Sequence, residues 1–214
     1  MIVPGLCKFG YDEDDAYDYT VAACWEFVVK NGMDTPNAFY LDMPLAVGNC
    51  IRRALKNDKS FDDILKEIPD EFKNLIEKQL PAKECKTKIP NLLFSALEPE
   101  CIQRMTDSLN VKGWHYNYGC HGVGSSTAVD SLLSIKRLIY DEKTISKDKF
   151  LDALENNFNG YEELYDKLNS SEDKLCADNE EGDRLLKYLF DSFAKALSKL
   201  RSNGRRIRPG TGSA

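Results

Sequence analysis

Histidine is nearly absent from this 214-residue chain, which holds only His115 and His121, and no two of its seven cysteines sit at CxxC spacing. A structural zinc finger or ribbon needs four such ligands at short intervals, so none is expected, nor is any other bound metal. Apolar runs near the ~18 residues of a membrane helix are also missing, and no membrane association is expected. Positive charge is not in surplus: 29 Lys and Arg stand against 35 Asp and Glu, a net charge of −6. That balance provides no field toward phosphate backbones and sets general nucleic-acid binding aside. No secretory h-region follows Met1, and the odd cysteine count at wide spacing fits a reducing cytoplasm better than a disulfide scaffold.

What is present is an ordinary globular composition, 42% hydrophobic and 30% charged, on a chain long enough to bury a sizeable core. Helical patterns dominate. The acidic stretch Asp12 to Thr20 predicts a short helix with carboxylates where the dipole favours them. Val21 to Phe27 reads as a strand or buried turn with Cys24 inside. After a loop from Lys30 to Asn37, Leu45, Ile51, Ala54 and Leu55 place a helix over Leu41 to Lys56. A second, over Phe61 to Leu80, is capped by Ser60 and broken in two at Pro69. A Lys-rich connector from Pro81 to Pro90 leads to a helix over Leu92 to Met105, bent near Pro99. Gly113 to Gly119 alternates like a short strand, and Cys120 to Ser126 is a loop entering a helix over Thr127 to Tyr140. Further helices are expected at Lys147 to Asn156, capped by Ser146, at Tyr161 to Leu168, and at Arg184 to Leu200. The glycine-rich basic end, Ser202 to Ala214, reads as a solvated tail.

Few residues suggest chemistry. Cys24 and Glu26 are two apart, so an extended chain directs both to one side, where a sulfur and a carboxylate can share a substrate. No Lys, Arg or His lies within five residues of Cys24, and Glu26 opposes its ionisation, so a thiolate nucleophile is poorly supported. The bland readings are a buried apolar cysteine and a strand-end surface carboxylate. Gly119 to Ser126 could cradle an anion before a helix, but it lacks the Lys-Ser/Thr ending of a P-loop. Adjacent Cys120 and His121 fall on opposite faces of an extended chain, which argues against a dyad. Asp130 reads as a plain helix carboxylate. Arg205, Arg206 and Arg208 either bind a phosphate or stay solvated.

Three segments taken together resemble one family. They are Asp14-Asp15-Ala16-Tyr17-Asp18-Tyr19 with Cys24-Trp25-Glu26, then Tyr116-Asn117-Tyr118-Gly119 through Gly122-Val123-Gly124-Ser125-Ser126 into Ala128 to Lys136, and finally Asn203 to Ser213. The pattern resembles the pyruvate formate-lyase domain of the glycyl radical enzymes, over residues 1–214. Ile145 to Leu168 is similar to the family's connecting helices. The resemblance implies an α/β, helix-rich fold, part of a ten-stranded α/β barrel of the pyruvate formate-lyase type. It implies that Cys24 forms a thiyl radical, for which a neutral thiol in a dry pocket is suitable, and that Glu26 is the general base. Chemistry of the dehydratase, decarboxylase or C–N lyase type follows. Ala23 stands where formate acetyltransferases carry a second cysteine, which weakens that alternative.

The same resemblance implies a small-molecule substrate, a radical S-adenosylmethionine activating enzyme, and a homodimer or complementing chain as partners. No cofactor is expected on this chain, because the glycyl radical is expected on a missing segment after residues 202–214. With only 23 residues before Cys24, much of the pocket is expected from elsewhere, and the chain reads as a fragment inactive alone. The rivals are a non-catalytic interaction module that keeps the fold, and a thiol hydrolase pairing Cys24 with His115 or His121. An incomplete barrel would also leave strand edges unpaired and favour self-association.

Overall fold

The computed structural model describes residues 2–22, 26–29, 35–86, 89–108, 118–169, 174–202 and 204–211. Cys24, His115 and the strand expected over Gly113 to Gly119, apart from its last two residues, lie outside them. In chain order the elements are α1 (Ile2–Phe9), α2 (Glu13–Tyr17), β1 (Tyr19–Ala22), β2 (Glu26–Val29), β3 (Thr35–Asp42), α3 (Met43–Lys56), α4 (Phe61–Lys86), α5 (Leu92–Leu97) and α6 (Pro99–Arg104). There follow β4 (Tyr118–Val123), α7 (Ser125–Ile135) with a π-helical extension over Lys136–Asp141, α8 (Lys147–Glu155), α9 (Glu162–Asn169), α10 (Glu180–Ser198), β5 (Arg201–Ser202) and β6 (Arg205–Thr211). The chain divides into two compact units.

The first unit comprises Met1–Leu41, Asn74–Gly122 and Ala194–Ala214. Its hairpin pairs β1 with β2 antiparallel, from Tyr19 opposite Val29 to Ala22 opposite Glu26. Leu6, Tyr11, Ala16 and Val29 form a small apolar core there, flanked by Phe9, Tyr19 and Phe27. A four-stranded sheet runs in the order β3, β4, β6, β5. Strands β4 and β6 are parallel, with Tyr118 opposite Ile207 and His121 opposite Gly210, while β5 and β6 are antiparallel. Alternation sends Phe39, Leu41, Tyr118, Cys120 and Ile207 to one buried face. Tyr40 and His121 meet edge to face on the other.

The sheet corrects three expectations. Thr35–Asp42 is a strand where a loop and the start of a helix were expected. Pro36 marks no turn: it sits near the beginning of a strand at the end of the described sheet order, where its missing N–H is tolerated. Strand β4 carries on from Tyr118 and Gly119, the end of the expected strand, through Cys120 to Val123, where a loop was expected. The basic segment after Ser202 is not a solvated tail over its described residues, since β6 lies between β4 and β5 with Ile207 buried.

The second unit comprises Asp42–Lys73 and Val123–Phe193. Asp42 caps α3 by accepting a hydrogen bond from the Leu45 backbone N–H at 2.9 Å. Met43, Ala46, Val47, Cys50 and Ala54 are the buried stripe of that helix, and Leu45, expected in the core, is exposed. At the start of α4, Ser60 and Asp63 form a reciprocal cap, with the Ser60 hydroxyl accepting from the Asp63 N–H and the Asp63 carboxylate from the Ser60 N–H, both at 3.2 Å.

Pro69 does not split α4, which runs unbroken for 26 residues. A proline there removes the bond to the carbonyl four residues back, that of Leu65. The Tyr188 hydroxyl from α10 donates to that carbonyl at 2.6 Å and satisfies it. Ile64, Ile68 and Phe72 can therefore remain buried in one continuous stripe. Gly124 begins α7 in a left-handed conformation at φ 70°, with the Pro44 ring 2.7 Å from where a Cβ would lie, so glycine is required on two counts.

Candidate active site

The β1–β2 hairpin delivers Glu26 to the first position of β2, opposite Ala22. Cys24, two residues earlier, is outside the described residues. Glu26 is only 7% exposed, which replaces the surface-carboxylate reading with that of an enclosed acid. Its Oε1 accepts a hydrogen bond from Asn37 Nδ2 at 2.7 Å. His121 Nδ1 lies 4.0 Å from the same oxygen, and His121 is 5% exposed. A carboxylate withdrawn from water costs several kcal/mol unless it keeps polar or charged partners, and here an amide and an imidazole converge on one oxygen.

Three strands assemble this group. Glu26 comes from β2, Asn37 and Tyr40 from β3, and His121 from β4. Strand β6 provides the space: Gly210 stands beside His121 in the ladder, and a Cβ there would lie 2.8 Å from ring atoms Cδ2 and Nε2. A side chain at position 210 would occupy the place of the imidazole. Tyr40 closes another side, its ring centroid 6.2 Å from that of His121 at 88°.

Other candidates find structural employment. Cys120 is buried on the sheet face opposite His121, and desolvation pushes its thiol up to about 12, so it does not ionise near neutrality. Asp130 is anchored, its Oδ1 accepting from the Leu175 N–H at 2.8 Å. Arg208 lies over the Phe9 ring, 5.2 Å from its centroid, and is not a freely solvated side chain. A separate cavity of about 610 Å³ in the second unit is lined by Ile51, Arg52, Asp130, Phe150, Phe158 and Lys174 among others. Among the described residues no cluster of three His, Cys, Asp or Glu could hold a metal, and no helix is long and apolar enough to cross a membrane.

The sequence reading singled out Glu26 but missed Asn37, Tyr40 and Gly210 as its surroundings, and it considered His121 only as a partner for a cysteine. The available signal was parity, since His121 is on the opposite face from Cys120 in any extended chain. It required recognising that the strand runs on through Cys120 to Val123, where Gly122 and Gly124 suggested a loop.

Comparison with known proteins places this arrangement in context. The chain is 26% identical over 235 aligned residues to (2S)-3-sulfopropanediol dehydratase of Klebsiella oxytoca, covering 97% of this chain and 28% of that protein. It is 24% identical to trans-4-hydroxy-L-proline dehydratase of Clostridioides difficile, covering 64% of this chain and 18% of the relative. Among solved structures, the B12-independent glycerol dehydratase of Clostridium butyricum superposes with a TM-score of 0.79 at 22% identity, over 97% of this chain and 29% of that one. A glycyl radical enzyme from Archaeoglobus fulgidus gives 0.76 at 21%, over 98% and 29%. The chain thus spans under a third of the length of these relatives, with the same path through its helices and sheet. The family model described as pyruvate formate lyase-like matches residues 1–213, and the chain belongs to that family of glycyl radical enzyme domains.

Proposed function

We propose that this chain contributes the cysteine and glutamate of a glycyl radical lyase of the dehydratase, decarboxylase or C–N lyase type, acting on a small hydroxylated molecule. The observation that carries the reading is the enclosure of Glu26 between Asn37 and His121. A buried carboxylate with oriented partners suits a general base, whereas a surface strand end would leave it in water. The family's glycyl radical would supply hydrogen-atom abstraction at Cys24. Glu26 then takes the proton of a substrate hydroxyl as the neighbouring carbon loses its leaving group. Asn37 fixes the receiving oxygen and limits its rotation.

Because the relatives are more than three times longer, turnover in this proposal requires further segments that complete the ten-stranded barrel. They would be supplied by continuation of the chain, by a complementing chain or by a homodimer. A radical S-adenosylmethionine activating enzyme would install the radical, in the cytoplasm.

The test combines the chain with the remaining length of a related domain and such an activase under strict anaerobiosis. Electron paramagnetic resonance follows the radical, and release of carbonyl product follows turnover with a panel of 1,2-diols and hydroxy acids. Cys24→Ala is expected to abolish turnover, and Glu26→Gln to reduce kcat by about 10²- to 10⁴-fold, the usual worth of a general base. Turnover indifferent to both substitutions, or none with radical fully installed, would reject the lyase reading in favour of an interaction module.

A further inference from the structure

We infer that His121 is a positioning residue for Glu26, a buried imidazole whose positive charge holds the carboxylate ionised and ready to accept the substrate proton. This rests on the reading of Glu26 as the proton acceptor and goes beyond it by assigning a partner that keeps the base in its working form.

The geometry carries the assignment. Nδ1 is 4.0 Å from Oε1, both side chains are nearly closed to solvent, and Asn37 provides the same oxygen with a neutral donor only. Opposite charges within ~4–6 Å favour the charged forms of both groups, the more so where water is scarce. The space for the imidazole is made by Gly210, whose missing Cβ would fall 2.8 Å from the ring. Among the described residues, the titratable and charged groups on the elements packed against His121 include Glu26 on β2, Tyr40 on β3 and, two residues from Gly210 on the same face of β6, Arg208. The Arg208 guanidinium opposes an imidazolium, but its charge rests over the Phe9 ring. Cys120, next along β4, points to the other face and keeps its proton, its thiol raised to about 12 by burial.

When the substrate O–H bond breaks and a Glu26 O–H bond forms, the carboxylate charge disappears and the imidazolium loses its partner. Return of that proton from Glu26 to the departing hydroxide, which leaves as water, restores the carboxylate beside the imidazolium. No electron changes hands in this step, and no further reactant is needed.

Nitrogen-15 NMR of the full chain tests the pair directly, because only two histidines are present and His115→Asn assigns the His121 signals. The imidazole midpoint is followed in the parent, in Glu26→Gln and in Glu26→Asp, with far-ultraviolet circular dichroism confirming that each is folded. Removing the charge in Glu26→Gln is expected to lower the midpoint by about one pH unit or more. Glu26→Asp, which keeps the charge but withdraws it by one methylene, is expected to lower it less. A midpoint unmoved in both folded variants, or a His121 neutral throughout, overturns the inference. In the reconstituted radical enzyme, His121→Gln is expected to displace the acidic limb of the kcat profile with little change in KM. Absence of Cys24-dependent turnover would defeat the lyase reading alone, since the imidazole titration still decides the pair.

Discussion

At Gly210 the absence of a side chain is a positive feature. A Cβ at this position meets ring atoms of a buried histidine at 2.8 Å, and that ring is confined by Glu26 and Tyr40. Gly210→Ala therefore forces the imidazole to move. Overpacking of this kind typically costs about 1–3 kcal/mol, and a urea melt at neutral pH should show a loss in that range together with changed His121 resonances. Parent-like stability would mean that the site gives way more easily than its packing suggests. Cysteine chemistry separates in the same local way. Burial pushes Cys50 and Cys120 up to about 12, so both should resist iodoacetamide at pH 8 while exposed Cys176 is alkylated, as intact-mass and peptide mapping would report. Glu26 could be recognised in the sequence through its spacing from Cys24. Its partners could not, because Asn37 and His121 are 84 positions apart and only strand pairing brings them to one oxygen.

Helix α4 shows how an element can override a strong local signal. Pro69 sits in the interior of an apolar stripe that the sequence displays clearly, and on propensity alone it should interrupt the helix. What keeps α4 intact is the Tyr188 hydroxyl from a helix more than a hundred residues later, which satisfies the Leu65 carbonyl. Tyr188→Phe should leave that carbonyl without a donor and cost about 1–3 kcal/mol. In a Pro69→Ala background the helix regains its own N–H donor, so the same substitution should cost distinctly less. A double-mutant cycle on denaturant midpoints measures the difference, and equal costs in both backgrounds would refute the compensation. Elements with local periodicity and caps, such as α8 with Ser146 and α4 with Ser60, were legible in the sequence for the same reason that Pro69 misled: short-range rules were being read. Strand β3, the second half of β4 and β6 were obscured because Pro36, Gly122 and Gly210 carry turn signals that sheet position and a packed histidine overrule.

At the scale of the whole chain, two predictions draw on charge and on apolar surface. The carboxyls of Asp58, Asp63 and Glu67 are held below their usual range, by the Lys147 hydrogen bond, by Ser60 and by the Lys59 hydrogen bond respectively. Depressed folded-state values make the unfolded chain the tighter proton binder in acid. Their stabilisation is complete above the unfolded carboxyl values near ~4 and is lost as pH falls through the lower folded ones. Urea midpoints should hold from pH 7 to about 5 and decline below that; a midpoint that rises on acidification would contradict the assignment. The apolar surface is concentrated on α5, α6 and their flanks in the first unit. Leu93 is 76% exposed and Met105 92%, with Leu92, Leu97 and Ile102 also outward. This is no frayed segment: Asp107 Oδ2 accepts from the Asn91 N–H and the Ser95 hydroxyl, each at 2.8 Å, and the Ser108 N–H donates to Ser95 Oγ at 2.9 Å. A polar clasp thus fixes the two short helices with their leucines outward. Monomeric proteins seldom present so many large apolar side chains together without a partner. Sedimentation of this 214-residue chain should show self-association that grows with concentration, and Leu93→Glu with Leu97→Glu should weaken it without altering the helical signal. If the parent instead sediments as a monomer at every concentration, the leucine surface does not drive association, and the unpaired-edge argument for self-association fails with it.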